Sequence, residues 1–460
     1  RNTVEGERPA GFVSYREIGN EDLFGVLKDM ELANLVRGKS SREILLITGI
    51  YAREDGTGDS GVIRDAPQQL LVEVLAKELE KNYSFALFVA ERGTATKEVV
   101  YVLERQGFIR PHMADENDKR TIYMVDMHEP LMFLHNLDTT IKEPFASNPA
   151  VLDAVEKNHK KLQIAMTKLY PGNLVLSLSS GIMYHRLVDR ITALNDVPRE
   201  PLVPRRLGKN MCVPFGKILR GKVVPNTVTK TLHTDKVYEP DLNSFTIEPF
   251  PYYSPLKSQI ETIKSFDRPV ILVDDLVHTA NRLQVLVPQL REDGIPIKKV
   301  VVGVLSGYGR DLMQCLKVPV ESIYSMPNLR QWFVESTLYP FIGGDTVRRE
   351  EMKVAGLQPS INMILPYATP RLSGCSREAL VEFSACCIEN SRDLFQVLEA
   401  EYRKMYAKNL TLSRLSEAVI LPLCPDKGSC MEYDENLAAS VYLENDLETL
   451  WRMKEFLIKG

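Results

Sequence analysis

The sequence lacks the features of several protein classes, although its 460 residues are enough for more than one sizeable core. Its seven cysteines form no Cys-x-x-Cys pair and no secretory segment is visible, so we expect reduced thiols and a cytoplasmic location. No apolar run reaches the length of a transmembrane helix, which predicts no membrane insertion. A net charge of −4 gives no general attraction to nucleic acid or membrane.

The sequence also lacks motifs for metal binding and for nucleophilic catalysis. The seven histidines and seven cysteines show no metal-ligand spacing, and no serine or cysteine stands in a pattern typical of a nucleophile. Internal repeats and low-complexity segments are absent as well, and the chain begins at Arg1 rather than Met, so we expect an upstream piece to be missing. With 44% hydrophobic and 26% charged residues, the composition is that of a globular protein of about two to four domains.

The most informative stretch lies in the middle of the chain. Four apolar residues, Val270 to Val273, predict a buried strand that runs into the adjacent carboxylates Asp274 and Asp275. A short turn with Thr279 follows, and an apolar helical pattern begins soon after it. Strand, polar turn and helix N-terminus in this order can hold a phosphate through backbone N–H groups. The paired carboxylates can bind vicinal hydroxyls or a sugar–metal complex.

This stretch resembles the phosphoribosyl-pyrophosphate (PRPP) motif of the type I phosphoribosyltransferases, in which Thr-Gly-x-Thr follows a strand with two acids. The sequence departs from the motif at Ala280, where the family prefers Gly, and at Arg282, where it prefers Thr or Ser. The resemblance implies that Asp274 and Asp275 form the catalytic pair and contact the ribose hydroxyls, directly or through Mg²⁺ carried mainly by PRPP. It also implies that the 5′-phosphate is held by Val277, His278, Thr279, Ala280, Asn281 and Arg282.

A phosphoribosyltransferase-like domain is accordingly predicted over residues 138–345. Leu174 to Leu178 predict its first buried strand, and Ser179, Ser180 and Gly181 form the turn into a helix. The resemblance assigns the pyrophosphate of PRPP to this turn, where hydroxyls and backbone N–H groups replace a charged residue. Strands and helices alternate around the acid pair, which predicts an α/β fold with a doubly wound parallel sheet.

Two further stretches of this domain are candidates for the site. Residues 205–236 are strongly basic, and the family has a closing loop in the corresponding region, so the resemblance assigns Lys230, His233 and Lys236 to the leaving pyrophosphate. A solvated basic face or an RNA-binding patch is the alternative. Trp332 and Phe333 lie in an aromatic-rich stretch, in which a ring could stack on the base or simply belong to the core.

Residues 1–137 alternate between predicted strands and helices. A loop with Arg53, Gly56 and Gly58 resembles the acyl-CoA loop of the GCN5-related N-acetyltransferases (GNAT), and the turn around Gly107 resembles their closing turn. The resemblance implies a partial GNAT-like α/β domain that could bind an acyl-CoA. The family often has a tyrosine as general acid where this sequence has Leu103, so we expect a GNAT-like shell without catalysis. A plain surface turn is the alternative reading of the glycine loop.

Residues 346–460 are predicted to be largely helical, and their helices are candidates for a hood that selects the acceptor or for an oligomer contact. We expect a homo-oligomer such as a dimer.

The function predicted from these motifs is Mg²⁺-dependent transfer of ribose 5-phosphate from PRPP to a nitrogenous base or nucleotide-like acceptor. One alternative is a non-catalytic regulator on the same fold that senses PRPP or a nucleotide. Another is an acyl-CoA-dependent N-acyltransferase fused to a nucleotide-binding domain.

Overall fold

The computed structural model describes residues 11–40, 43–52, 65–81, 83–91, 95–112, 120–204, 206–251, 253–348, 357–426 and 432–459. These residues form an α/β protein with parallel and mixed sheets, which confirms the general fold class. Among them, no helix combines the length and the apolar character needed to cross a membrane.

The strands are β1 (Gly11–Ile18), β2 (Ile44–Ala52), β3 (Phe85–Glu91), β4 (Arg120–His135), β5 (Asn173–Ser179), β6 (Met211–Pro214), β7 (Val228–Thr229), β8 (Thr234–Tyr238), β9 (Phe245–Pro249), β10 (Val270–Val277), β11 (Ile297–Ser306), β12 (Val320–Met326), β13 (Gln331–Val334), β14 (Asp345–Val347), β15 (Gln358–Ile361) and β16 (Leu423–Pro425). The α-helices are α1 (Leu23–Leu27), α2 (Met30–Lys39), α3 (Ala66–Glu78), α4 (Lys97–Arg105), α5 (Pro149–Thr167), α6 (Ser180–Leu194), α7 (Leu256–Lys264), α8 (Asn281–Glu292), α9 (Gly307–Cys315), α10 (Glu335–Leu338), α11 (Arg377–Tyr406) and α12 (Ala439–Lys459). Short 3₁₀ helices span Leu79–Lys81, Asp138–Thr140 and Leu412–Glu417.

The chain divides into two compact units. The first comprises Arg1–Phe133, Met166–Ser177 and Ser325–Trp332, and the second comprises Leu134–Ala165, Leu178–Tyr324 and Phe333–Gly460. Residues 346–460 therefore belong to the same unit as the predicted phosphoribosyltransferase motif.

The first unit contains a sheet in the order β1-β2-β3-β4-β13, and β5 also pairs with β4. β1 and β2 are antiparallel, β2 and β3 parallel, and β3 and β4 antiparallel. Leu103, at the position of the expected general acid, is fully buried in α4. The predicted acyl-CoA loop with Arg53, Gly56 and Gly58 lies outside the described residues.

The position of β5 corrects one prediction. We expected this strand in the parallel sheet with the acid pair, but it pairs with β4 instead. The turn that follows α4 packs closely against the start of β5: Gly107 has φ +88°, and a Cβ there would lie 2.1 Å from the carbonyl oxygen of Asn173. Val175 N also donates to the Gln106 carbonyl at 3.1 Å. The apolar run of β5 suits any buried position, so periodicity could not identify its partner.

The second unit contains a sheet in the order β12-β11-β10-β6-β7, in which β7, β6, β10 and β11 are parallel. The apolar residues of β10, including Val270 and Leu272, are completely buried. They pack in one core with Leu283, Leu286 and Leu290 of α8. The predicted strand–turn–helix is thus observed, and β10 continues through both acids to Val277.

A further mixed sheet of the second unit has the order β16-β15-β14-β8-β9. The C-terminal region contributes β15 and β16 to it, in addition to the helices α11 and α12, which pack together. The predicted helices are therefore present, whereas these strands of only three or four residues were missed because they are too short for a periodic pattern. Lys236, expected in a closing loop, lies in strand β8, whose partner β9 is antiparallel to it.

Candidate functional site

The carboxyl ends of β6, β10 and β11 form one edge of the parallel sheet. Ligands of open α/β sheets bind at such an edge. Here β6 is followed by Phe215, Gly216 and Lys217, β10 ends with the acid pair, and β11 ends at Ser306. The structure therefore brings polar groups from three separate parts of the sequence to the predicted site.

Asp275 binds the turn that follows β6. Its carboxylate accepts hydrogen bonds from the backbone N–H groups of Lys217, at 2.7 Å, and Ile218, at 2.9 Å. A Cβ at Gly216 would lie 2.5 Å from Asp274 Oδ1 and 2.6 Å from Asp275 Oδ1, so only glycine allows this turn to cover both acids. Asp275 thus has a structural role in addition to any role in binding.

Asp274 has a different environment. Its Oδ1 accepts from the N–H of Asp275 at 2.8 Å and lies 3.9 Å from Nη1 of Arg282. Burial raises the pKa of the Asp274 carboxyl to about 7, the neighbouring Asp275 charge adds to this, and Arg282 opposes it. Arg282 also donates to the carbonyl of Phe215 at 3.3 Å, which orients its guanidinium towards the acids.

The predicted phosphate turn joins β10 to the N-terminus of α8. Ala280 is the N-cap residue, with the left-handed values φ 51° and ψ 20°, and its side chain cannot cap the helix. The motif's preference for glycine here has a physical reason, since a Cβ disfavours this conformation. Thr279 is exposed and its hydroxyl accepts from Asn281 at 2.8 Å, while His278 Nδ1 lies 2.8 Å from the Ser306 hydroxyl.

Sequence reasoning missed several charged residues beside the acids. Burial lowers the pKa of Lys217, with the Asp345 charge opposing the shift. Burial and the Arg282 charge lower the pKa of Arg220, whose guanidinium lies over the Phe250 ring at 5.3 Å from its centroid. Arg220 Nε is buried without a hydrogen-bond partner among the described residues.

Opposite charges accompany these cations. Burial raises the pKa of Asp345, with Lys236 and Lys217 opposing the shift. Asp235 accepts a hydrogen bond from Thr346 and contributes to the electrostatics of Lys217 and Arg220. We call the following set the charged cluster: Lys217, Arg220, Asp235, Lys236, Asp274, Asp275, Arg282 and Asp345. The sequence feature that pointed to these cations was the basic stretch of residues 205–236. Only the folded structure shows that Lys217 and Arg220 of this stretch lie beside the acids.

The predicted pyrophosphate turn is the start of α6. Ser179 is the N-cap, accepting from Ile182 N at 3.4 Å, and the Ser180 hydroxyl is buried without a partner among the described residues. Gly181 follows in the first turn of the helix. A Cβ on Gly303 of β11 would lie 2.1 Å from Met183 Sδ and 2.7 Å from the Asp275 carbonyl oxygen. The beginning of α6 thus packs on the sheet beside the acid pair.

The predicted closing residues lie on and before β8. Lys230 is exposed, and its backbone N–H donates to the Cys212 carbonyl at 3.0 Å. The His233 ring stacks on Tyr253 with 3.7 Å between centroids, and burial, then the charges of Arg220 and Lys230, lower its pKa. Lys236 Nζ lies 4.2 Å from the centroid of the Phe245 ring. Contact with a leaving pyrophosphate stays a prediction for all three residues.

The aromatic candidates differ in exposure. Phe333 is only 8% exposed and packs on Phe383, with ring centroids 5.6 Å apart, as expected of a core residue. Trp332 is 39% exposed, and its stacking on a base stays a prediction.

Possible metal ligands occur elsewhere in the second unit. One ligand atom each from His135, His159 and Glu335 lies within 4.8 Å of the others. No spacing rule could detect this set, because His159 and Glu335 are 176 residues apart.

No protein-family model matches the chain, and no curated protein matches it. Among solved structures, a purine phosphoribosyltransferase from Pyrococcus horikoshii Ot3 is similar over 38% of this chain and 92% of its own length, with 12% identity and a TM-score of 0.22. A TM-score this low supports no conclusion about fold or function.

Proposed function

We propose that the second unit binds a phosphorylated ribose, with PRPP as the preferred ligand, at the carboxyl edge of β6, β10 and β11. The observation that carries the proposal is the arrangement of the acid pair on β10, followed by a turn and the N-terminus of α8. An α-helix N-terminus attracts anions through its N–H groups and its dipole. In α8 the N-cap is Ala280, whose side chain does not compete for those N–H groups.

The cations of the charged cluster support an anionic ligand. Arg282 lies in the first turn of α8, and Arg220 and Lys217 come from the turn after β6. Burial lowers the pKa of both Lys217 and Arg220, so a bound phosphate would stabilise their charged forms. Guanidinium groups suit phosphate because they donate several hydrogen bonds in a fixed geometry.

Mg²⁺ would be carried by the pyrophosphate of PRPP rather than by direct ligation to Asp275. That carboxylate already accepts two backbone hydrogen bonds, and Asp274 faces the cationic Arg282. Mg²⁺ usually keeps water and phosphate ligands, with one or two carboxylates at most. Transfer of ribose 5-phosphate to a base acceptor, with release of pyrophosphate, is the activity that we propose for this site.

A PRPP- or nucleotide-sensing regulator is the second candidate, and the environment of Asp275 favours it. A carboxylate that holds the Gly216–Ile218 turn is not available for ribose hydroxyls unless this turn moves. Binding would then occur without turnover. The acyltransferase alternative depends on a loop outside the described residues, so an acetyl-CoA titration of the full chain is its test.

Thermal-shift and calorimetric titrations with PRPP and Mg²⁺ test the binding proposal. We expect saturable binding to the wild-type chain and a loss of about 10- to 100-fold in affinity for Arg282→Gln, because hydrogen bonds to charged groups contribute about 1.5–3 kcal/mol. Arg291→Gln is the matched control, since Arg291 lies in the last turn of the same helix, where it donates to the carbonyl of Leu316.

Pyrophosphate release over a panel of bases then separates the two candidates. PRPP-dependent release supports the transferase, and binding without release supports the regulator. Equal affinity of the wild-type chain and Arg282→Gln, or stabilisation no greater than that by inorganic phosphate, would contradict the proposed site.

A further inference from the structure

A buried carboxylate and two histidines meet in the second unit, and none of the three belongs to the residues assigned to phosphoribose binding. Glu335 is the first residue of α10 and is completely buried, His159 lies on α5, and His135 is the last residue of β4. Glu335 Oε1 lies 2.6 Å from His159 Nδ1. The two imidazole rings are nearly perpendicular, at 82°, with centroids 4.3 Å apart.

The hydrogen bonds of Glu335 leave part of its carboxylate unused. Oε1 is close to His159 and accepts from the Tyr339 hydroxyl at 3.2 Å. Oε2 is buried and has no hydrogen-bond partner in the described part of the chain. Burying a charged oxygen without a partner is costly, and coordination of a metal ion is one of the ways in which proteins offset this cost.

The donor set selects the kind of ion. Two imidazole nitrogens and one carboxylate oxygen suit Zn²⁺ and similar divalent transition metals, whereas Mg²⁺ and Ca²⁺ prefer sites made only of oxygen. Zinc with bonds of about 2.1 Å places its ligand atoms about 3.4 Å apart. The three ligand atoms lie within 4.8 Å of one another, so small side-chain rotations would suffice.

We propose that His135, His159 and Glu335 form a zinc site that cross-links the end of β4, α5 and α10. With three protein ligands, a fourth position is left for water.

Neighbouring hydrogen bonds orient these ligands. Asn390 Nδ2 donates to the Tyr339 hydroxyl at 2.9 Å, and that hydroxyl donates to Glu335. Groups of this kind fix the orientation of metal ligands and contribute to metal affinity. The site does not depend on the proposed PRPP activity.

The test uses the full chain, stripped with a chelator and titrated with Zn²⁺ alone by calorimetry. We expect the wild-type chain to bind one Zn²⁺ ion tightly. His135→Gln and His159→Gln should each lower the zinc affinity by more than about 100-fold, because loss of a residue that only hydrogen-bonds to a metal ligand already lowers affinity by about 10- to 100-fold. His185→Gln is the control, because this exposed histidine contacts Arg199 outside the site and its loss should leave affinity unchanged. Zn²⁺ should also raise the melting temperature of the wild-type chain.

Substitution with Co²⁺ identifies the ligands independently of the variants. Strong visible d–d bands without a thiolate-to-metal charge-transfer band support a four- or five-coordinate site of nitrogen and oxygen ligands. A thiolate band, a weak octahedral spectrum or no saturable binding would overturn the proposal and leave His159 and Glu335 as an ion pair. Equal zinc affinity in the wild-type chain and both histidine variants would overturn it too. Should either variant fail to fold, the cobalt spectrum of the wild-type chain decides.

Discussion

Asp274 and Asp275 are adjacent in the chain, but their carboxylates have different roles. The Asp275 carboxylate accepts hydrogen bonds from two backbone N–H groups of the turn after β6. Asp274 is buried beside that charge, and its pKa rises to about 7. Adjacent residues of a strand point to opposite faces, so such a difference is expected where one acid meets a turn and the other faces Arg282.

The raised pKa predicts a pH-dependent effect of Asp274→Asn. The unfolded carboxyl has a pKa of about 3.9, so between about pH 4 and pH 7 the folded state holds a proton that the unfolded state has lost. Wild-type stability therefore falls as pH rises through this window, whereas asparagine imitates the protonated form at every pH. We expect the melting temperature of Asp274→Asn, relative to wild type, to be higher at about pH 8 than at about pH 5.

Asp311→Asn serves as the control for this measurement, because Asp311 is exposed on α9. The difference in melting temperature between this variant and the wild type should be the same at the two pH values. A constant difference for Asp274→Asn would mean that the folded carboxyl keeps an ordinary pKa.

At the scale of elements, several helices begin or end at residues that determine local stability. Ser179, Ser306 and Ser376 each cap a helix by accepting a backbone N–H, as N-cap serines commonly do. The long helix α11 ends differently, at Ala407, which has the left-handed values φ 54° and ψ 31°. Glycine is preferred at such a position because it has no Cβ.

Ala407→Gly is therefore predicted to stabilise the protein by about 0.5–1 kcal/mol. Glycine relieves the strain of the left-handed conformation in the folded state, and this gain in free energy is larger than the cost of the greater conformational entropy of the unfolded chain. Ala407 is exposed, so no buried contact is lost. The measurement is the shift of the unfolding transition in urea. The same substitution at the exposed helical residue Ala400 should instead destabilise by about 1 kcal/mol. Destabilisation by both variants would show that the helix end gains nothing from glycine.

At the scale of the whole molecule, the C-terminal region is part of the second unit. β14 pairs with β15 on one side and with β8 on the other. The buried Tyr339 accepts a hydrogen bond from Asn390 of α11, and Phe333 packs on Phe383 of the same helix. Removing this region would therefore uncover the core of the unit that carries the charged cluster.

A chain that ends at Arg348 is predicted to lose cooperative unfolding and near-ultraviolet circular dichroism and to bind hydrophobic dyes. Fragments 1–348 and 349–460, produced together, should associate and restore cooperative unfolding and the near-ultraviolet circular dichroism. This control shows whether the loss comes from the missing residues or from the break in the chain. Cooperative unfolding of the shorter chain alone would show that residues 1–348 fold without the C-terminal region.

Much of the local structure was predictable. The strand and helix on either side of the acid pair, the turn between them and the alternating elements of the first unit followed from periodicity and turn chemistry. The partner of β5 and the short strands β15 and β16 were not predictable. Their sequences suit a buried strand, but pairing depends on which backbone comes near.

By itself, the sequence determined the secondary structure around residues 270–292 and the chemical character of the acid pair, because both depend on neighbouring residues. Only the tertiary structure selected Lys217 and Arg220 from the basic stretch, placed the Asp275 carboxylate on the turn after β6, and assembled His135, His159 and Glu335. These arrangements depend on burial and on contacts between distant segments. Burial determines the free-energy cost of each charged group, and burial arises only when the chain folds.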